Sequence, residues 1–140
     1  MSLRSVLPVL LCAALAQAVP AARAAEGAAT EAEVKACTGV EKFAPTGEAT
    51  AFKVAPGTRI YAWARVQGEA GRVAEGTQVF VAFSRDGKEL FRQALALPHV
   101  PYRTQAYRTF RKGDEGAWTV EVLDAEGKAL GKAAFDVAFE

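Results

Sequence analysis

The chain has 140 residues, with 17 Lys and Arg against 16 Asp and Glu, one His and two Cys. A balance this close to neutral excludes the strongly basic pattern of a domain that binds nucleic acid with its whole surface. One His and two scattered Cys also exclude the usual three- or four-ligand zinc sets, so no metal is expected.

The first residues divide into a basic start at Arg4, an apolar run from Val6 to Ala16 and a small-residue segment ending in Ala22-Arg23-Ala24. This is the three-part pattern of a secretory leader, with cleavage expected after Ala24. The apolar stretch is shorter than the ~20 residues that span a bilayer, so no stable membrane insertion is expected once the leader is lost. Cys12 lies inside the apolar run behind Leu11, the wrong place for lipid attachment. The expected location is periplasmic or secreted. Loss of residues 1–24 removes Arg4 and Arg23 but no acid, leaving 15 basic and 16 acidic residues in a mature chain of about 116. That length suffices for a buried core without metal or disulfide.

Cys37 is then the sole thiol, and an internal disulfide is impossible. It is either a buried small hydrophobe or an exposed thiol that links two copies; free cysteine is among the most buried residue types.

Residues 25–33 contain no large apolar side chain and read as a flexible tether. The domain is expected over 34–140. Val34, Ala36, Thr38 and Val40 alternate with charged or small residues, and a loop with Pro45 and Gly47 follows. Phe52 and Val54 make a short strand stopped by Pro56-Gly57. Ile60 to Val66, apolar on both faces and rich in aromatic and branched residues, reads as a central strand. A polar loop spans Gly68 to Gly76. Val79 to Phe83 and Glu89 to Leu97 flank Asp86-Gly87, a strong hairpin signal. A two-residue turn there sets Phe83 opposite Leu90, whereas a three-residue turn with a bulge sets Val81 opposite Phe91, the preferred register. Tyr102 to Phe110 alternates after the Pro98 and Pro101 loop, and Trp118 to Val122 pairs with Ala129 to Phe139 through Asp124-Ala125-Glu126-Gly127.

These seven to eight short strands, with turn signals every 8 to 12 residues and no apolar repeat at helical spacing after Glu33, predict an all-β fold. The expected architecture is a single immunoglobulin-like sandwich of antiparallel strands, with Trp63 and Trp118 as core plugs.

Arg59-Ile60-Tyr61-Ala62-Trp63, Arg85-Asp86-Gly87-Lys88, Pro101-Tyr102-Arg103-Thr104, and Gly116 to Val122 followed by Asp124 to Lys128 and Leu130 together resemble the bacterial domain-of-unknown-function family 2914. The resemblance runs from near Cys37 to Val137. It implies a small β domain of envelope or secreted proteins and no assigned activity. Members tend to carry His and Trp before the Asp-Gly turn and Trp before the Arg-Thr pair. The corresponding places here hold Ala82, Phe83 or Ser84, and Tyr102, so a site built on those residues is lost or altered.

No catalytic set is expected. Nucleophilic catalysis by Ser or Cys needs a neighbouring base, and the single His99 lies in a proline-rich loop without a partner motif. Asp114-Glu115 and Asp124 with Glu126 fall in predicted turns, where acids bond their own backbone. No glycine loop opens a helix to hold phosphate, so no nucleotide cofactor is expected. The one constellation with binding chemistry joins Arg103, Arg108, Arg111 and Lys112 to Tyr102 and Tyr107, with His99 in the adjoining loop. Alternation places Arg103 and Tyr107 on one face and Arg108 with Tyr102 on the other. Arginine stacks on aromatic rings and holds carboxylate or phosphate bidentately, so such a face fits an anionic envelope polymer or an acidic protein. The competing reading is a solvated strand whose arginines cover neighbouring rings and pair with Glu89 or Glu121 across the sheet. The sequence therefore predicts, first, a non-enzymatic binding or accessory domain, second, an assembly protein that adds an edge strand to a partner's sheet, and third, an enzyme of unrecognised type.

Overall fold

Residues 29–69 and 73–140 are described by a computed structural model. The expected leader at 1–24 lies outside them, as do residues 25–28 of the expected tether. Ten strands follow in order: β1 (Ala29–Cys37), β2 (Gly39–Glu41), β3 (Ala44–Thr46), β4 (Ala51–Val54), β5 (Thr58–Gly68), β6 (Gln78–Arg85), β7 (Lys88–Ala96), β8 (Tyr102–Phe110), β9 (Gly116–Leu123) and β10 (Ala129–Phe139). They form a three-stranded sheet of order β1-β5-β8, a five-stranded sheet of order β4-β10-β9-β6-β7, and the small β2-β3 pair.

The all-β sandwich follows from period two. On β5, Ile60, Ala62, Ala64 and Val66 point into the core, and on the opposing sheet Val79, Val81 and Phe83 of β6 and Trp118, Val120 and Val122 of β9 do the same. The chain changes sheets between β1 and β4, between β4 and β5, between β5 and β6, between β7 and β8, and between β8 and β9. With β5 beside β8, and β6, β9 and β10 adjacent in that order, this is the Greek-key connectivity of an immunoglobulin-like sandwich.

The three-stranded sheet contributes a row of small residues, Ala36, Ala62 and Ala106, while the bulk comes from rings. Phe110 meets Trp118 at 4.9 Å and Phe135 at 6.0 Å between ring centroids, both edge to face. Phe52 meets Phe135 at 5.7 Å in the same way. Small residues against large ones let the two sheets interdigitate.

The structure corrects several expectations. Ordered pairing begins at Ala29 rather than Val34: residues 29–33 of the expected tether lie on β1, paired with β5. Pairing with β5 uses backbone groups, so those residues needed no large side chains. The run from Val34 to Val40 breaks at Thr38, and the expected Pro45 loop is the β2-β3 hairpin, which raises the strand number to ten. One pairing is parallel, β4 with β10, because β4 comes after the chain has left the β1 sheet and joins the far edge of the other. At Asp86-Gly87 the turn has two residues, with Arg85 opposite Lys88, and a bulge beside Leu90 then sets Phe83 opposite Phe91. Neither expected register occurs: the bulge lies in the strand rather than in the turn. Finally, Trp118 is in the core but Trp63 is not. Trp63 points to the outer side of the three-stranded sheet and is buried there.

Candidate binding face

Cross-strand register fixes what shares the outer face of the β1-β5-β8 sheet. Residues directly opposite one another point to the same side. Successive rows are Glu33, Arg65 and Arg103; then Lys35, Trp63 and Gln105; then Cys37, Tyr61 and Tyr107. Arg59 opposite Thr109 adds a fourth.

Two features of this face bear on binding. Arg65 lies directly opposite Arg103, a like-charge pairing that ordinarily destabilises a sheet. Among the described residues, ion pairs join Lys35 to Glu33 and Glu48, Arg92 to Glu89, and Arg108 to Asp114, and none includes Arg59, Arg65 or Arg103. Glu33 stands beside Arg65 in the row, but its carboxylate contacts Lys35 at 3.4 Å. Hydrogen bonds to Glu48 and then Glu33 hold the Lys35 ammonium above its ordinary pKa. The second feature is aromatic: Tyr61 and Tyr107 lie 5.5 Å apart, and the Arg59 guanidinium sits 4.6 Å over the Tyr107 ring. The face thus offers an arginine pair at one end and, two to three rows away, a guanidinium backed by a ring.

The β2-β3 hairpin packs on the same side. Its strands touch β5 and β1, and the Trp63 indole N–H donates to the Phe43 carbonyl at 2.8 Å. Beneath it Cys37 has no accessible surface, and its thiol contacts the Tyr61 carbonyl at 3.8 Å. Burial pushes the Cys37 thiol pKa up, although the backbone N–H groups of Gly39 and Thr46 pull it the other way. A Cys37-linked dimer, one of the two expectations from sequence, would require this hairpin to open. The tip is a two-residue turn in which Lys42 and Phe43 both take left-handed conformations, φ 50° and 63°. Such turns ordinarily use Asn and Gly, because a Cβ costs free energy there.

The structure separates the expected constellation. Arg103 and Tyr107 share the outer face, as alternation indicated. Arg108 turns inward, its guanidinium 4.9 Å from the Trp118 ring and one Nη 3.4 Å from Asp114. It closes the edge of the sandwich, and its Nε is buried without a hydrogen-bond partner. Tyr102 is half-buried and meets His99 edge to face at 5.2 Å, while His99 Nδ1 lies 3.1 Å from the Pro101 carbonyl. Arg111 is exposed in the β8-β9 turn, where its own N–H donates to Asp114. The expected pairing of these arginines with Glu89 or Glu121 does not occur; Glu89 takes Arg92.

The acidic turns behave as local bonding predicts. Asp124 accepts from the backbone N–H groups of Glu126 and Lys128, and Asp114 from that of Arg111. Among the described residues no three His, Cys, Asp or Glu side chains converge as metal ligands would.

Sequence reading missed Arg59, Arg65 and Tyr61. They flank or interrupt a strand recognised for its apolar content, and only the register with β8 places them beside Arg103 and Tyr107. The available signal was their period-two spacing, Arg59, Tyr61, Trp63 and Arg65, in antiphase with the core residues.

No curated protein matches this chain. Residues 76–137 match the model of a family described as Protein of unknown function (DUF2914). That segment runs from just before β6 into β10, so it includes Arg103 and Tyr107, whereas Arg59 and Arg65 precede it. The strand Arg59 to Trp63, on which the resemblance partly rested, lies outside the matched residues. Over residues 76–137 the chain is thus similar to this family of unknown function.

Proposed function

We propose that this protein is an exported, non-enzymatic binding domain of the bacterial envelope, periplasmic or secreted, that holds an anionic polymer or an acidic protein on the outer face of its β1-β5-β8 sheet. The observation that carries this reading is the Arg65 and Arg103 pair. Two neighbouring guanidiniums without carboxylate partners repel each other, and an anion bridging them relieves the repulsion while accepting bidentate hydrogen bonds. Further along the same face, two rows from that position and about 13 Å along β5, Tyr61 and Tyr107 supply a ring surface, with Arg59 over the Tyr107 ring as a third cation. The leader-like pattern of residues 1–24 is the basis for export.

Retention of the purified domain on polyglutamate and polyphosphate resins tests the binding reading. Retention at low salt that is lost at ~1 M salt, where the screening length is ~3 Å, is expected, together with its loss in an Arg65→Ala, Arg103→Ala double variant. Unchanged retention in that variant would overturn it. N-terminal sequencing of the protein recovered from the periplasm, expected to begin at Ala25, tests the export.

A second reading is strand addition. β7 is an edge of its sheet, with Leu90 and Phe91 exposed. Association through it would be insensitive to salt and to the arginine variant.

A further inference from the structure

Resting on the binding reading above, we propose that the partner is an acidic protein segment carrying an aromatic or aliphatic side chain, rather than a purely ionic polymer, and that Phe43 is the anchor that engages that side chain. Phe43 is the most exposed large apolar residue described, at 71%. Leu90, Phe91 and Tyr107 follow at about half that value, 37–42%. A ring so exposed gains little from burial on folding.

Its placement is nevertheless fixed. The three-residue strands β2 and β3 hold the turn, and the Trp63 indole clamps the Phe43 carbonyl itself. Because Trp63 stands one row from Arg65 and Arg103, about 7 Å along β5, the ring rises from the same face as the two guanidiniums. Lys42 and Phe43 adopt left-handed backbone at positions where Asn or Gly is free of that cost. The hairpin thus presents an aromatic side chain at a site where turn formation alone favours something else.

The charges around the hairpin indicate which partner it fits. Glu41, Lys42, Lys35 and Glu48 balance one another. A basic rim for an anionic membrane surface is therefore missing, and the free cations are the arginines lower on the face. An apolar knob above uncompensated guanidiniums is complementary to a chain that alternates an apolar side chain with carboxylates. Aromatic anchors beside charge-assisted hydrogen bonds are where protein interfaces concentrate their affinity.

The test compares three fluorescent probes by anisotropy: a peptide of eight glutamates, the same peptide with two phenylalanines inserted, and polyphosphate. The phenylalanine-containing peptide is expected to bind about tenfold more tightly than the all-glutamate peptide. Phe43→Asn, which suits the turn and removes the ring, is expected to abolish that difference, while Phe43→Leu retains most of it. Equal affinity of the two peptides, or a preference that survives Phe43→Asn, would overturn the Phe43 anchor and leave the arginine face standing. Loss of the preference in Phe43→Asn with binding unaffected by the Arg65→Ala, Arg103→Ala pair would instead overturn the arginine face. Failure of all three probes to bind would overturn both.

Discussion

The outer faces of the two sheets are built by the same strand chemistry and differ in how one row of each sets its charges. Across the five-stranded sheet, register places Lys132 opposite Glu121, then Ala82, then Arg92. Arg92 in turn bonds Glu89 at 2.7 Å and lies over the Phe80 ring. There Arg92 has an ion-paired carboxylate and Lys132 has Glu121 opposite with no second cation beside it in the row, as solvated strands commonly do. On the three-stranded sheet the equivalent row ends with Arg65 beside Arg103, and the anion at its other end is engaged by Lys35. The difference teaches that an exposed arginine is informative only together with its cross-strand neighbours. Arg92 and Arg103 are equally visible in the sequence, yet one is neutralised and the other is not.

This contrast breaks most directly in binding. The Arg65→Ala, Arg103→Ala protein is expected to lose about tenfold or more in affinity for polyglutamate at low salt, while Arg92→Ala with Lys132→Ala on the opposite sheet changes it less than twofold, measured by resin retention or anisotropy. Similar losses in both double variants would reduce the effect to general charge and erase the distinction between the faces.

Arg108 sharpens the comparison because it neighbours Tyr107 in sequence but belongs to neither outer face. Removing it with Arg108→Ala strips a guanidinium from the Trp118 ring and frees Asp114, so unfolding by urea is expected at about 1–2 kcal/mol lower stability with polyanion binding retained. Phe43→Asn is expected to do the reverse, raising stability by about 0.5–1 kcal/mol through relief of left-handed strain. A smaller gain, a few tenths of a kcal/mol, is expected for Arg103→Glu, which would give Arg65 a partner and make this row resemble that of the other sheet.

The smallest effect appears only in alkali. The folded thiol of Cys37 has a pKa raised above its ordinary value of 9.0, chiefly by burial. Below that value both folded and unfolded chains hold the proton and the group contributes no pH dependence. Above it the unfolded chain loses the proton first, so stability falls with rising pH until the folded thiol also ionises. The stability difference between the wild type and Cys37→Ala, followed through this window, is expected to shrink as pH rises; a difference independent of pH would show that the thiol is not held in its protonated form.

The fold was largely legible from local signals. The apolar run Ile60 to Val66 marked a central strand without naming its inner face, Trp118, Val120 and Val122 were read on a strand and enter the core, and Asp86-Gly87 and Asp124 to Gly127 named turns that form where expected. Both signals act over a few residues and are written in the order of side chains. The binding face was half legible. Arg103 and Tyr107 were recognised from their own strand, but Arg108 was grouped with them although its side chain packs on Trp118.

By itself the sequence determined that most of the domain is extended and where its glycine turns fall, because period-two patterning and positive-φ turn positions are local properties of the residues. Tertiary structure alone decided that Arg65 lies beside Arg103, that β4 runs parallel to β10, that Trp63 and Cys37 are covered by a hairpin outside the core, and that the bulge at Leu90 sets Phe83 on Phe91. These depend on register between segments far apart in the chain. A shift of one residue in that register exchanges the inner and outer faces, so it is settled by how the whole core packs, and local pattern does not carry it.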